Sequence, residues 1–393
     1  MLTTALLLLL SAEAKTASVP FVAVFVQGED ATAEHHAGKI EVELSHRLAK
    51  RGAPLVDLAA RYPPPRHDAT EGSTLIKEGK EAYDNLDMDA AIQKLTDAGL
   101  YFIKHPEAAD PKLLAEVFVF LGAAELQNNK KAEAHKNFLR AVALDPTYQP
   151  DPKFFAADVQ KAFSSAHHEL AGKHKGTVIF ESSPAGATLA LDGREIGLTP
   201  HPPVELTPGR HHVLATRPGY VTAGKLPEVA SGAHLDVKLE LQPLPAYAGS
   251  VDLAKRVTNR NNFDAQVLPP QASQLGQELG ARYLVLGKVV SSKGSNKVEV
   301  QVWDVQTGDR LRELKFDGDE FGLDKAAETI TLWIGRPVAE VVVEAKPEGA
   351  SGAFKKPWVW AVIGAVVVGT AVGVGVGIGA QQPRGFDIIT GIP

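Results

Sequence analysis

The sequence contains no cysteine, and this absence excludes several kinds of chemistry together. Without thiols the chain has no disulfides, no thiolate metal ligands, no cysteine nucleophile and no lipid-modified cysteine. Familiar catalytic motifs are also missing, since no nucleophile elbow, Walker loop, zinc-protease motif or dinucleotide fingerprint occurs in the expected soluble part of the chain. These absences argue against those enzyme classes, and we expect a non-enzymatic protein without a cofactor.

A strong charge of either sign is absent as well. The 41 Lys and Arg residues and the 47 Asp and Glu residues give a formal net charge of −6 at pH 7. This balance does not predict a nucleic-acid-binding surface. Hydrophobic residues make up 44% of the 393 residues, which is enough for ordinary cores in about two to four domains.

The chain begins with a short apolar run at residues 2–10, followed by Ala12 and Ala14 in the spacing of a small-residue cleavage site. We interpret residues 1–14 as a secretory signal peptide, although no Lys or Arg precedes the run. A buried first strand or helix is the alternative, because the run is too short to span a bilayer. The leader predicts soluble domains in the periplasm.

A second apolar segment, residues 358–380, carries no charge and is long enough for one transmembrane helix. Gly369, Gly373 and Gly377 recur at intervals that allow two membrane helices to approach closely. The segment therefore predicts a membrane anchor and a contact with another membrane helix, which belongs either to a second copy of this chain, giving a homo-oligomer, or to a different protein. The alternative is an anchor that merely tolerates glycine.

Residues 176–243 contain short runs of alternating apolar residues, separated by Pro and Gly, which is typical of a small antiparallel sheet. The order and spacing of the turns resemble the PEGA domain, a bacterial surface-associated β-module. The residues that carry the resemblance are Pro184, Gly186, Asp192, Gly193, Gly197, Thr199, Pro200, Pro218, Gly219 and Tyr220. The family tetrapeptide Pro-Glu-Gly-Ala has Ala185 at its second place, which we expect to be exposed. The resemblance implies attachment to the cell surface or to envelope polymers.

Residues 73–170 have helical periodicity and resemble tetratricopeptide repeats. The first unit carries the pattern at Gly79, Ala91, Leu95 and Ala98. The second unit carries it at Gly122, Ala134, Phe138, Ala141 and Pro146. Gly79 and Gly122 are further apart than the family period of about 34 residues, so we expect an insertion around residues 105–111. Because two repeats are few for a stable stack, this block is expected to lean on another domain.

Two flanking segments have α/β patterns. Residues 20–60 predict a β-α-β unit, and residues 250–340 predict a helix, three strands and a helix. The run at 279–287, followed by the run at 304–308, weakly resembles the later half of the α/β domain of TolB amino-terminal and CsgG-like envelope proteins. We infer one α/β domain split around the helical repeats and the β-module. The expected fold class is therefore multidomain α+β with these three domains and one C-terminal transmembrane helix, with a linker at 341–356 and a tail at 381–393.

Asp317, Asp319, Gly322 and Glu328 occupy places of a calcium-binding loop. Lys325 and the preceding strand weaken that interpretation, and an acidic turn at a helix start explains the same residues. We therefore predict no metal site, with Asp317, Asp319 and Glu328 as the weak calcium candidate.

Three histidine pairs, at residues 35–36, 167–168 and 211–212, also invite a metal interpretation. Adjacent side chains point apart on a helix or a strand, so a pair supplies one ligand at best. Solvent-exposed histidines are the expectation.

These patterns predict a non-enzymatic, membrane-anchored envelope scaffold or adaptor. It would bind other envelope proteins or cell-wall polymers through the helical repeats and the β-module, and it would not bind nucleic acid. The alternative is a ligand-binding or regulatory envelope protein that uses a pocket of the α/β domain, in secretion or peptidoglycan assembly.

Overall fold

The computed structural model describes residues 21–292 and 294–335. The expected signal peptide, linker, transmembrane segment and tail lie outside these residues. In chain order the strands and helices are β1 Phe21–Gly28, α1 Ala31–Lys50, α2 Leu58–Arg61, α3 Thr70–Asp84, α4 Met88–Lys104, α5 Pro111–Gln127, α6 Lys131–Leu144, α7 Ala157–Ala171, β2 Gly176–Ser183, β3 Thr188–Leu191, β4 Arg194–Leu198, β5 His201–Leu206, β6 Gly209–Arg210, β7 Val213–Thr216, β8 Ala223–Lys225, β9 Glu228–Val229, β10 His234–Glu240, α8 Pro245–Thr258, α9 Arg260–Phe263, α10 Pro270–Leu279, β11 Ala281–Ser292, β12 Ser295–Asp304, β13 Arg310–Asp317 and α11 Glu320–Gly335.

The main sheet has the strand order β1-β11-β12-β13 and joins the two flanking segments of the chain. Strand β1 pairs in parallel with β11, with Val22 opposite Tyr283, and the other two pairings are antiparallel. The chain therefore leaves this sheet after its first strand and α1, forms the helices and the β-module, and returns to the sheet at β11.

Both faces of β1 are covered, which explains its nearly continuous apolar sequence. Helices α1 and α11 cover one face, where Val24, Leu44 and Ile330 belong to one core. Helices α8 and α10 cover the other face, where Leu275 packs in a second core with Leu286.

The helical block consists of two helix pairs, α3 with α4 and α5 with α6, followed by α7. A Cβ atom at Gly79 would lie 2.7 Å from the Leu95 side chain, and one at Gly122 would lie 2.7 Å from Phe138. The glycines therefore permit the close helix approach that the sequence pattern predicts. A short 3₁₀ helix, Pro106–Ala108, joins the two pairs at the expected insertion.

The β-module contains a three-stranded sheet of order β10-β2-β5, a four-stranded sheet of order β4-β3-β7-β8 and a two-stranded pair, β6-β9. The expectation of an antiparallel module is wrong for one pairing, because β10 is parallel to β2. Strands β3 to β9 lie between them in the chain, and this long connection permits a parallel pairing.

The expected multidomain α+β fold class is also wrong. One buried cluster contains Phe25 and Leu286 of the main sheet together with Val178, Phe180 and Leu239 of the β-module. All described residues fall into one compact unit with a mixed α/β architecture. The alternation of apolar residues predicts which side chains are buried, but it does not show which neighbouring element covers them.

The transmembrane helix in that fold class is corrected too. Within the described residues, none of the helices has the length and apolar character that a membrane span requires. Residues 358–380, with Gly369, Gly373 and Gly377, lie outside the described part of the chain.

Candidate functional site: a cleft between the main sheet and the β-module

Helix α1 meets the first turn of the β-module through backbone atoms. A Cβ atom at Gly38 would lie 2.1 Å from the Ala185 carbonyl oxygen, and one at Gly186 would lie 2.2 Å from the Gly38 carbonyl oxygen. Gly186 also has a positive φ of 81°, which favours glycine. Helix α1 therefore covers this turn, and Ala185 is buried where the sequence predicts an exposed side chain.

A buried ion pair joins the same two parts. Nη2 of Arg217, from the β-module, lies 2.5 Å from Oε1 of Glu41 on α1, and the two side chains are 9% and 17% exposed. Arg217 also donates to the Ala185 carbonyl, and the Val26 amide donates to Glu41 at 2.9 Å. Burial raises the pKa of Glu41, while the guanidinium and the amide act in the opposite direction. The pair is thus held by a set of charged and neutral hydrogen bonds.

Beside the ion pair lies an inner chamber of about 60 Å³. Tyr220 and Tyr247 line it, together with Gln27 at the end of β1. The two tyrosine rings are in edge contact, with centroids 5.9 Å apart, and the Arg217 guanidinium lies 5.5 Å from the centre of the Tyr220 ring. The chamber is large enough for a few water molecules or for one polar group of a ligand.

The two tyrosines are only 8% (Tyr220) and 4% (Tyr247) exposed. Nevertheless, neither hydroxyl group has a hydrogen-bond partner among residues 21–292 and 294–335. Burial raises the pKa of Tyr220 and of Tyr247, so both hydroxyls keep their protons. Among the described residues the one fully enclosed side-chain polar atom without a hydrogen-bond partner is His67 Nε2, so both tyrosine oxygens remain accessible to water or to a polar ligand.

The inner chamber adjoins an outer cleft of about 510 Å³, a volume in the range of small-molecule sites. Tyr220, Val251 and Lys255 line both spaces. The charged and titratable residues of the outer cleft are nearly balanced: Glu34, Glu181, Glu240, Lys238, Lys255 and His35. A ligand with a large net charge of either sign is therefore not favoured.

The cleft lies at the carboxyl end of β1 and the start of α1, where open α/β sheets commonly bind ligands. A helix start can bind phosphate through its free amides. Here Asp30 accepts from the Ala33 amide at 2.8 Å, and Glu34 accepts from the Gly28 amide at 2.7 Å. Because these two carboxylates lie at the helix start, their negative charge disfavours a phosphate group at this position.

The calcium candidate residues have other roles. Asp317 pairs with Lys297, and Asp319 accepts from the Gly322 amide at 2.8 Å at the start of α11. Glu328 is exposed further along this helix. Within the described ranges, no group of three or more His, Cys, Asp or Glu residues is arranged to hold a metal ion.

One histidine pair is buried, against the expectation of exposure, with His211 at 3% and His212 at 1%. The two ring nitrogens of His211 each lie 2.8 Å from an acceptor, the Asp192 carboxylate and the Thr207 carbonyl. Burial alone would lower the pKa of His211, but these two acceptors outweigh it and raise the pKa. His212 donates through Nε2 to the Pro106 carbonyl at 2.7 Å, which links the β-module to the helical block.

Most motif residues of the β-module hold its turns. Asp192 and Gly193 both have positive φ, at 47° and 79°, in the hairpin between β3 and β4. Thr199 is fully buried and accepts from the Ala187 amide at 3.0 Å. Pro184 and Tyr220 differ from the others because they also line the cleft.

Comparison with known protein families agrees with these turns. Residues 175–245 match the PEGA domain family. This match confirms the interpretation of residues 176–243, and we refer to this part as the PEGA domain. No curated protein matches the chain. The resemblances to tetratricopeptide repeats and to TolB amino-terminal or CsgG-like domains stay predictions.

The second repeat unit places its motif residues between two helices. Gly122 of α5 faces Phe138 of α6, and Ala134 and Ala141 are fully or almost fully buried beside them. Pro146 follows α6, and its carbonyl lies 3.2 Å from His167 on α7. These residues pack the helices together and leave no reactive group exposed among them.

One side of the helix pairs is covered by the chain itself. Phe155, in the segment before α7, is buried, and its ring lies 4.8 Å from Phe120 on α5 and 6.2 Å from Tyr83 on α3. Lys80 and Glu116 form an ion pair between the same two helices at 2.9 Å. This side of the helix pairs is thus partly covered by an internal segment.

Sequence reasoning missed Glu41, Arg217 and Tyr247, which form the wall of the inner chamber. Glu41 and Arg217 are 176 residues apart, and no spacing rule connects such positions. The only local signal is that Arg217 directly precedes the Pro-Gly-Tyr corner of the PEGA domain.

Proposed function

We propose that the protein is a non-enzymatic scaffold or adaptor of the cell envelope, in which three joined parts present their surfaces in a fixed arrangement. The observation that carries this proposal is that buried polar groups join the parts of the protein to one another. The Glu41–Arg217 pair joins α1 to the PEGA domain, and the hydrogen bond of His212 joins the PEGA domain to the helical block. These groups serve structure, whereas a catalytic group needs an accessible reactive atom.

Close backbone contacts support the same proposal. A Cβ atom at Gly209 of the PEGA domain would lie 2.6 Å from Ala143 on α6, and one at Gly224 would lie 2.7 Å from the Glu107 amide nitrogen. Together with the contact of Gly38, these positions bring the PEGA domain close against both neighbours. Such contacts restrict relative motion, which suits a scaffold better than a flexible chain of modules.

The partners that we propose are other envelope proteins or cell-wall polymers, met in the periplasm. Support comes from the match of residues 175–245 to the PEGA domain family, because the PEGA domain is a surface-associated β-module. The charge balance of −6 is consistent with protein or glycan partners, and we propose no nucleic-acid partner and no cofactor.

The proposal is tested by photo-crosslinking in cells. A photoreactive residue is placed at exposed Leu86 of the helical block, at exposed Arg194 of the PEGA domain, or at exposed Phe321 of α11. A scaffold should give the same defined complex from at least two of the three positions. Crosslinks that match those of an unrelated periplasmic protein would contradict the proposal, as would a complex that still assembles when each part is expressed alone.

A ligand-binding or regulatory envelope protein is the second candidate function, in secretion or peptidoglycan assembly. The specific observation in its favour is the cleft beside Tyr220 and Tyr247, at the strand end where α/β sheets bind ligands. Its test is thermal stabilisation of the purified protein by a small molecule, because a ligand that binds only the folded state raises the unfolding temperature.

A further inference from the structure

Tyr220 and Tyr247 line the inner chamber, and their hydroxyls have no protein partner and remain accessible, so they are available to a ligand of particular chemistry. A phenol both donates and accepts a hydrogen bond, so the two groups together offer two donors and two or more acceptor positions. They lie in a chamber of about 60 Å³ that adjoins an outer cleft of about 510 Å³. A ligand that fits both spaces has a small polar group at one end and a larger polar body.

The surroundings restrict the charge of that ligand. Three glutamates face two lysines and a histidine around the outer cleft, and Arg217 is already paired with Glu41 in the chamber. An anion would compete with Glu41, and it would be repelled by the carboxylates of Asp30 and Glu34 at the start of α1. The remaining donors and acceptors suit a neutral molecule that carries several hydroxyl groups.

We propose that the cleft binds a saccharide unit of a neutral glycan, with one sugar hydroxyl placed in the inner chamber between Tyr220 and Tyr247. The carboxylates of Glu34 and Glu240 accept from other sugar hydroxyls in the outer cleft, and Lys255 donates to a ring or hydroxyl oxygen. This inference rests on the second candidate function, for which it supplies the ligand class, and it holds whether or not the chain is also an adaptor.

The test is isothermal titration calorimetry of the purified full chain with two neutral trisaccharides, maltotriose and tri-N-acetylchitotriose, and with glucose 6-phosphate. We expect at least one trisaccharide to bind at millimolar or lower concentration and the phosphate to bind more weakly. Tyr220→Phe and Tyr247→Phe each remove one hydroxyl, and each should weaken trisaccharide binding by about 2- to 12-fold.

The matched control is Tyr62→Phe. The Tyr62 ring lies 4.9 Å from the Tyr247 ring, but its hydroxyl accepts from Arg61 at 3.3 Å and it does not line either space of the cleft. Its loss should leave the affinity unchanged. Val251→Trp fills the junction between chamber and cleft and should abolish binding while the protein remains folded.

Three results would overturn the inference. The first is that neither trisaccharide binds at millimolar concentration. The second is that the Tyr220→Phe/Tyr247→Phe double variant binds as tightly as the wild type. The third is a crystal structure with trisaccharide present that contains only water beside Tyr220. None of these results bears on the crosslinking test of the scaffold or adaptor. The saccharide site and the scaffold function can therefore be contradicted independently of each other.

Discussion

The PEGA domain meets the helical block on one side and α1 with the main sheet on the other, and the two contacts are made differently. Towards the helices the contact consists of close backbone approach at Gly209 and a hydrogen bond from His212 to Pro106. Towards the sheet, Gly38 also permits close approach, but a buried ion pair and a polar chamber lie beside it.

This difference indicates which of the two contacts only stabilises the fold and which one also shapes a binding site. Removing two charges from water is expensive, and well-packed apolar residues usually stabilise a contact at least as well as a buried ion pair. A contact that served stability alone would therefore not need Glu41, Arg217 and two tyrosine hydroxyls. The neutral contact with the helices suits a fixed joint, and the charged contact with the sheet suits a joint that also shapes a binding site.

The largest effect on stability is expected from breaking the Glu41–Arg217 ion pair between α1 and the PEGA domain. Arg217→Met leaves Glu41 buried without its counter-charge and should lower the free energy of unfolding by about 3–5 kcal/mol. Urea denaturation of the full chain measures this change. The double variant Arg217→Met/Glu41→Leu removes both charges and should recover most of the loss. A double variant as unstable as the single one would show that the charge is not the cause.

The second effect concerns the close approach of α1 to the PEGA domain. Gly38→Ala places a Cβ atom 2.1 Å from the Ala185 carbonyl oxygen, so the helix and the turn must separate. We expect a loss of about 1–3 kcal/mol in urea denaturation.

The matched control for that substitution is Gly249→Ala in α8, where no atom lies within 4 Å of the new methyl group. Because alanine favours a helix more than glycine does, this variant should be more stable by about 0.5–1 kcal/mol. If both substitutions had the same effect, the close contact at Gly38 would not determine the joint.

A smaller loss of stability is expected from breaking the contact between the PEGA domain and the helical block. His212→Ala removes the hydrogen bond to the Pro106 carbonyl, which keeps its bond from the Ala109 amide, at a cost of about 0.5–1.5 kcal/mol. Amide hydrogen exchange should increase first at the 3₁₀ helix Pro106–Ala108. Increased exchange throughout the main sheet, without change at that helix, would contradict a local role.

The smallest effect is a pH dependence within the PEGA domain. The folded protein raises the pKa of His211, so the charged form stabilises the fold. This stabilisation is fully present below the ordinary histidine pKa of about 6.5 and is lost as the pH rises through the higher folded value. Urea denaturation across this range should show wild type losing stability with rising pH relative to His211→Gln. Parallel curves for the two proteins would contradict this.

Local patterns predicted local structure well. The crossing points at Gly79 and Gly122 and the hairpin at Asp192 follow from short-range rules, because a helix contact or a tight turn involves residues close in sequence. The match of residues 175–245 to the PEGA family confirms the same reasoning on a larger scale. By contrast, the histidines at 211–212 were expected to be exposed, because sequence alone shows their polarity and not their partners.

Short-range sequence rules could not predict the cleft. Its wall combines Glu41 of α1, Arg217 of the PEGA domain and Tyr247 of α8, which come together only after the main sheet is closed by its distant strand β11. Position 185 shows the same limit, since the turn was predicted correctly while its burial depended on a helix that lies far away in the sequence.

The sequence by itself determined the secondary structure periods, the turn residues of the PEGA domain and the absence of thiol chemistry, because each depends on residues that are near one another or on composition. The tertiary structure alone decided that the main sheet and the PEGA domain share a core, that β10 runs parallel to β2, and that two buried tyrosines line one chamber. The physical reason is that burial, charge pairing and unsatisfied hydrogen bonds are properties of surfaces in contact, and contact between distant segments is created only by folding.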